Sequence, residues 1–249
     1  MQIARVLFND VPTYAEYKDG KYYLISGDIY GEFSVGKQIE VSSLLCPVVP
    51  TKVVALGVNY AKHREEMRHD PNMLPVIFQK PVSALLAPEG NIVYPTLAST
   101  VHYEAELVIV IGKRVRKASK ADAGKYIFGY TCANDVSERN FQKIDGQWTR
   151  AKGYDTFCPV GSYITTDIDP TNLTVQTVLN GTVVQDGNTA DLIRNVYDIV
   201  EFVSSIMTLE VGDIILTGTP QGVGEIHVGD TVTIQISSLG SITNRVIAE

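Results

Sequence analysis

What most constrains the fold is the way apolar sequence is parcelled along the chain. Short runs rich in β-branched residues recur, among them Val53 to Leu56, Val76 to Phe78, Leu107 to Ile111, Val175 to Leu179, Ile214 to Leu216 and Val232 to Ile236, with Gly, Pro or Asn between them. Runs this short between turn residues predict strands, because Val and Ile suit a pleated, buried surface. None approaches the roughly 18 apolar residues that a membrane-spanning helix requires. Asp19-Gly20 lies between two apolar-aromatic runs, and Asn180-Gly181 lies between Val175–Leu179 and Thr182–Val184. Such pairs predict two-residue hairpin turns, whose central residues both take positive φ.

Helical periodicity is clearest after Asn188-Thr189-Ala190-Asp191, where Leu192, Ile193, Val196, Ile199, Val200 and Val203 recur three and four apart. This predicts one long amphipathic helix ending near Met207. Shorter helices are expected at Tyr60 to Arg68 and at Ser119 to Tyr126, the second capped by Ser119. A regular β-α-β alternation is missing, so a mixed or antiparallel arrangement is favoured over a doubly wound sheet or a (β/α)8 barrel. The expected fold is mostly β with short helices. Pro47 and Pro50 favour an extended connector, which divides the chain into a small N-terminal β domain, residues 1–48, and a larger unit, residues 49–249.

With 249 residues the chain can bury a sizeable core by itself. Its formal charge of −7 and pI near 5.2, with no basic block, argue against nucleic acid as a partner. No membrane partner is expected either. The N-terminus carries no apolar stretch of the signal-peptide kind, and the 3 cysteines, Cys46, Cys132 and Cys158, are widely spaced without a C-x-x-C pair. A reducing cytoplasm is the expected compartment.

The sharpest chemical constellation is His102-Tyr103-Glu104-Ala105-Glu106-Leu107, running into Val108 to Gly112. In a strand the two-residue period puts Glu104 and Glu106 on one face, beside sequence apolar enough to be buried. Two such carboxylates repel unless a cation lies between them; the alternative is a solvated edge strand. Asp135, ending the apolar run from Phe128, supplies a third carboxylate. Three carboxylates make a hard oxygen site suited to Mg²⁺ or Mn²⁺ with positions open for a chelating substrate, whereas zinc recruits His or Cys. His102 shares the parity of the glutamates and is read as a packing or outer group.

His63 and Glu66 are three apart and would be neighbours on a helical turn, a base oriented by a carboxylate; a solvated surface helix is the plainer reading of that turn. Arg139, Gln142 and Lys152 follow Asp135 and offer charge for a developing enolate or oxyanion. The Gly-rich turn Leu216 to Gly224 lacks the G-x-x-x-x-G-K-[ST] spacing of a nucleotide loop, and its amides or the Thr219 hydroxyl suit a carboxylate. Trp148 reads as a packing aromatic, and His69 and His227 have no recognisable partner.

In this order, Gly57-x-Asn59-Tyr60, His63 with Glu66, His102 to Leu107, Asp135-x-x-x-Arg139 and Thr217-Gly218-Thr219-Pro220 resemble the fumarylacetoacetate hydrolase family, over roughly Lys52 to Glu249. The resemblance implies that family's mixed β-sandwich roll, a homodimer, and Mg²⁺ or Mn²⁺ on Glu104, Glu106 and Asp135. It also implies a catalytic His63–Glu66 dyad on a lid helix, a catalytic Lys152, and substrate contacts from Tyr60, Arg139, Gln142 and Thr219. The implied chemistry is cleavage of a C–C bond in a 2-oxo or 2,4-dioxo acid through a metal-stabilised enolate, either 3-acylpyruvate hydrolysis or oxaloacetate decarboxylation. Val101 to Lys113, Thr189 to Asp191 and Thr243 to Val246 look more like the decarboxylase, isomerase or hydratase branch of aromatic catabolism, while Gln142 favours the hydrolase and oxaloacetate branch. A metal-stabilised protein that binds small carboxylates without turning them over would use the same carboxylates but leave the dyad without purpose.

Overall fold

The computed structural model describes residues 1–66 and 74–249, and strand is its main secondary structure. One large sheet runs Phe33–Ile39, Lys21–Gly27, Val11–Lys18, Gln2–Phe8, Ile164–Thr165, Ile127–Asn134, Ala105–Ile111, Ile214–Leu216, Val53–Gly57 and Val76–Lys80, with Ser43–Leu45 added beside Gln2–Phe8. All neighbours in it are antiparallel except Ile214–Leu216 and Val53–Gly57, which are parallel. A second sheet is ordered Thr182–Asn188, Thr174–Leu179, Thr231–Ile236, Gly240–Ala248 and Ile92–Tyr94. The expected mostly-β fold with short helices is what is found.

Strand Ala105–Ile111 is buried on both faces, which is why its sequence is a continuous apolar run rather than an alternation. Leu107, Ile109 and Ile111 pack with Val175, Val232, Ile234 and Ile236 of the second sheet and with Val196, Ile199, Val200 and Val203. Val108 and Val110 point to the other side and pack with Val53, Ala55, Ile214 and Leu216. Each such buried aliphatic side chain contributes about 1.5–3 kcal/mol, so the strand that introduces Glu106 is fixed from both sides. The N-terminal strands are hydrogen-bonded into the same sheet through Gln2 opposite Thr165 and Ile3 opposite Ile164. There Ile3 is fully buried, and the Tyr30 and Phe128 ring centroids lie 4.7 Å apart.

Both hairpins form as their sequences predict. Lys18 pairs with Lys21 across Asp19 (φ 51°) and Gly20 (φ 77°), and Leu179 pairs with Thr182 across Asn180 (φ 50°) and Gly181 (φ 84°).

Two of the expected helices are shorter than the periodicity predicts, and each shortfall has a local cause. The long helix begins only at Val196 and ends at Ile206, after a 3₁₀ turn at Thr189–Asp191. Asn195 and Asp198 form a capping box that sets this start. Upstream, Asn59 captures the backbone that would have continued the helix: its carbonyl accepts from Ile193 N–H, its Oδ1 from Arg194 N–H, and its Nδ2 donates to the Arg194 carbonyl. At Ser119 the hydroxyl closes a turn on Asp122, leaving a 3₁₀ helix only at Ala123–Tyr126. The helix expected over Tyr60 to Arg68 spans Ala61–Glu66; Arg68 and His69 lie outside the described residues. No helix among the described residues is long and apolar enough to cross a membrane.

Candidate active site

The strand expected to run unbroken from His102 is split at Glu104, between Val101–Tyr103 and Ala105–Ile111. The break has a purpose visible in its hydrogen bonds. Glu104 N–H donates to Asn134 Oδ1 (2.9 Å), and the Glu104 carbonyl accepts from Asp135 N–H (2.9 Å), which ties Glu104 to the chain just past strand Ile127–Asn134. Glu106 lies opposite Ala133 in the neighbouring register. Two adjacent strands therefore deliver Glu104, Glu106 and Asp135 to one buried point, where a carboxylate oxygen from each lies within 4.8 Å of the others.

Cations compensate two of the three carboxylates. Arg139 Nη2 donates to Glu104 Oε1 (2.5 Å), while Lys152 Nζ bridges Glu104 Oε2 (2.7 Å) and Asp135 Oδ2 (2.6 Å). Lys80 Nζ, fully buried, donates to Asp135 Oδ1 (2.5 Å) and to the Val136 carbonyl (3.1 Å). Burial opposes ionisation of Glu104, but Arg139, Lys152 and His63 outweigh it and hold its carboxyl well below the usual carboxylate range. Burial likewise opposes the charge of Lys152, yet Asp135 and Glu104 leave its ammonium above its ordinary value.

Glu106 is different. Among the described residues its recorded hydrogen bond is from Gly218 N–H to Oε2 (2.6 Å), and it has no ion pair. Burial, then Asp135 and Glu104, push its carboxyl well above the usual range. A buried carboxylate left beside two others without a cation is costly, and an all-oxygen, all-carboxylate cluster is the donor set that Mg²⁺ or Mn²⁺ takes. The residues present thus fit the expected divalent cation. Gly218 (φ +95°) is needed for this contact, since a Cβ there would come 2.9 Å from Asn59 Cβ.

A cavity of about 530 Å³ opens onto the cluster. His63, Arg139, Gln142, Lys152 and Thr219 line it together with Glu104, Glu106 and Asp135, so most of the sequence-predicted residues meet in one space. His63 Nδ1 lies 3.0 Å from Glu66 Oε2, and the Glu66 carboxylate also accepts from Gly222 N–H at 3.2 and 3.3 Å. Arg139 Nη1 donates to Gln142 Oε1 (2.8 Å). Leu56, Phe78, Trp148 and Val223 form an apolar side of the cavity, with Trp148 edge-on to Phe78 at 5.1 Å.

Some placements depart from the sequence reading. Tyr60, expected to contact substrate, is 1% exposed and bridges to Leu192 rather than lining the cavity; burial and then the charge of Glu106 raise its phenol far above its ordinary value. Trp148 is more than a packing aromatic, because it walls the cavity. His102 also reaches the cavity, and burial and then Arg139 lower its imidazole to about 4, which keeps it neutral near pH 7. Sequence reasoning missed Lys80, Glu138 and Gln185, and took in Asn59 only within the Gly57-x-Asn59-Tyr60 pattern, without a role. Lys80 had a signal, a cation ending the strand that opens with the apolar run Val76 to Phe78, just before Pro81. Glu138 had none: it caps helix Arg139–Ile144 at Phe141 N–H and also accepts from Ser99 and Thr100 N–H, which fixes where Arg139 and Gln142 stand.

Residues 52–247 match the family model described as the C-terminal domain of fumarylacetoacetate (FAA) hydrolase. The chain belongs to the fumarylacetoacetate hydrolase family. A solved 2-hydroxyhepta-2,4-diene-1,7-dioate isomerase from Mycobacterium marinum is 43% identical with TM-score 0.92, covering 100% of this chain and 99% of the other. A solved 5-carboxymethyl-2-hydroxymuconate delta-isomerase from Mycobacterium smegmatis is 41% identical with TM-score 0.93, covering 100% of both. The mitochondrial oxaloacetate tautomerase of Bos taurus is 40% identical over 218 residues, 82% of this chain and 69% of that protein. Members of the family thus include enzymes, and these three are named as two isomerases and a tautomerase.

Proposed function

We propose that the chain is a divalent-cation-dependent enzyme acting on a 2-oxo acid, and that its reaction is proton transfer between the keto and enol forms, the tautomerase or isomerase type. The observation that carries this reading is a histidine, oriented by a carboxylate, lining the same cavity as a buried three-carboxylate cluster. Mg²⁺ or Mn²⁺ held by Glu104, Glu106 and Asp135 would supply Lewis-acid stabilisation of the negative charge that develops on the 2-oxo oxygen. With His63 Nδ1 engaged by Glu66, Nε2 is the nitrogen left to take a proton from the carbon next to the oxo group and to pass it to the oxo oxygen, the reverse transfer giving back the keto form. Arg139, Gln142 and Thr219 bind the substrate's oxygens, and Lys152 keeps positive charge beside Glu104 and Asp135. The apolar side formed by Leu56, Phe78 and Trp148 limits competing water.

A second reading is C–C cleavage, by hydrolysis of a 3-acylpyruvate or decarboxylation of oxaloacetate. It is favoured by Gln142, which stands in the cavity bonded to Arg139, and by the dyad's capacity to activate water. The test is product analysis on metal-stripped protein with and without Mg²⁺ or Mn²⁺. Cation-dependent loss of enol absorbance from oxaloacetate, with no pyruvate formed, supports proton transfer. Cation-dependent pyruvate from acetylpyruvate or oxaloacetate supports cleavage instead, and no change in either substrate rejects both. A homodimer belongs to the same proposal, and light scattering in solution checks it.

A further inference from the structure

Gln185 lies outside the cavity, on strand Thr182–Asn188 of the second sheet, and is 1% exposed. We propose that it is a positioning residue, which fixes the Thr219 hydroxyl as a hydrogen-bond donor into the cavity and so prepares it for an anionic oxygen of the substrate. This rests on the 2-oxo acid reading of the site.

Every hydrogen-bonding position of the Gln185 amide is used. Oε1 accepts from Ala105 N–H (3.0 Å) and from the Thr177 hydroxyl (2.6 Å); Nε2 donates to Thr219 Oγ1 (2.9 Å) and to the Pro220 carbonyl (2.9 Å). Two of these partners leave no choice of orientation. A backbone N–H only donates and a backbone carbonyl only accepts, so a flipped amide would set NH₂ against the Ala105 N–H and a carbonyl against the Pro220 carbonyl. Nε2 therefore faces Thr219, and the Thr219 oxygen is an acceptor there. A threonine hydroxyl that has accepted one bond still has its own proton to give. Among the described residues no acceptor for that proton is recorded, and Thr219 lines the cavity.

The packing around Gln185 keeps this arrangement in place. A Cβ on Gly187 would come 2.5 Å from Pro220 Cβ, and one on Gly222 would come 2.6 Å from the Val184 carbonyl, so the Thr219 loop lies directly on this strand. Ala105, the residue between Glu104 and Glu106, hangs on the same amide. One buried side chain thereby ties the Thr219 hydroxyl to the backbone of the carboxylate floor.

A double-mutant cycle tests the proposal. Gln185→Glu keeps the acceptor that Ala105 and Thr177 use and removes the donor that orients Thr219; Thr219→Val removes the hydroxyl itself. Pyruvate binding to Mn²⁺-loaded protein is measured by calorimetry, with Mn²⁺ affinity measured separately. Each single variant should weaken pyruvate about tenfold, the loss of one hydrogen bond to a charged group. The double variant should be no weaker than either single, Mn²⁺ affinity should stay within about twofold, and KM should rise more than kcat falls. Losses that multiply in the double variant, or an unchanged Gln185→Glu protein, overturn the role assigned to Gln185. A wild-type protein that neither binds pyruvate nor alters oxaloacetate rejects the underlying reading instead. Gln185→Met repeats the cycle without a buried charge, so a folding failure of the first variant does not decide the matter.

Discussion

The floor of the cavity and its rim are built in opposite ways. Glu104, Asp135, Lys80 and Lys152 on the floor hold one another through bonds of 2.5 to 2.7 Å, and strand Ala105–Ile111, which carries Glu106 beside them, is buried on both faces. On the rim, the described turn Ala61–Glu66 is tied to the Gly-rich loop by longer bonds, the Glu66 carboxylate accepting from Gly222 N–H at 3.2 and 3.3 Å. Groups that must hold a cation at fixed separations sit on the tightly bonded part, whereas the group proposed to move a proton sits on an element tied by longer bonds. Preorganisation is thus concentrated where charge has to be stabilised, and the proton carrier is left on the element that can adjust to a substrate.

The largest expected effect breaks the floor. Glu106→Gln should raise the Mn²⁺ dissociation constant by on the order of a hundredfold or more, and abolish turnover with it, because it removes a ligand rather than a supporting group. Thermal stability should hold or rise, since the variant deletes the buried carboxylate that lacks an ion pair. Calorimetry and a melting curve together check both halves. The same carboxyl gives the pH dependence a sign. Its value in the folded, cation-free protein is raised above the unfolded one, so the folded state binds the extra proton from the ordinary carboxylate range upward. A cation must displace that proton. Mn²⁺ affinity should therefore fall as pH is lowered, by about tenfold per unit once Glu106 is protonated, with one proton released on binding. Affinity independent of pH from 5 to 8 would remove Glu106 from the ligand set.

On the rim, His63→Ala should lower kcat by about 10²- to 10⁴-fold with Mn²⁺ binding unchanged. An intact kcat would show that the floor alone carries the reaction. A protein that binds 2-oxo acids equally well with and without His63, and turns over neither, would be a carboxylate-binding protein.

The same contrast explains how much was legible in the sequence. The floor was readable because its residues are close in the chain or end recognisable apolar runs: Glu104 and Glu106 precede Leu107 to Ile111, and Asp135 closes the run from Phe128. The hairpins were readable from Asp19-Gly20 and Asn180-Gly181 because the positive φ required there is a local property. What the sequence hid is long-range hydrogen bonding. Asn59 reaches Ile193 and Arg194 and delays the last helix, Glu104 breaks its strand by bonding Asn134, and Gln185 reaches Thr219 from another sheet. No periodicity records a hydrogen-bond partner 30 or more residues away, so these contacts left no local signal in the sequence.

The smallest expected effect separates the tether of the rim from its charge. Glu66 does two things, accepting from Gly222 N–H and engaging His63 Nδ1, and a glutamine at this position retains a carbonyl oxygen for one donor while losing the negative charge. Glu66→Gln should lower kcat by about tenfold, the scale of one hydrogen bond to a charged group, and should leave Mn²⁺ affinity where it was. Glu66→Ala removes both tether and charge and should fall further toward His63→Ala. If the two Glu66 variants lose the same activity, the charge opposite His63 is what matters and the contact with Gly222 is incidental. If Glu66→Gln is as active as the wild type while Glu66→Ala is not, the carboxylate serves to hold the helix in place, and the rim is tethered for position rather than tuned for proton transfer.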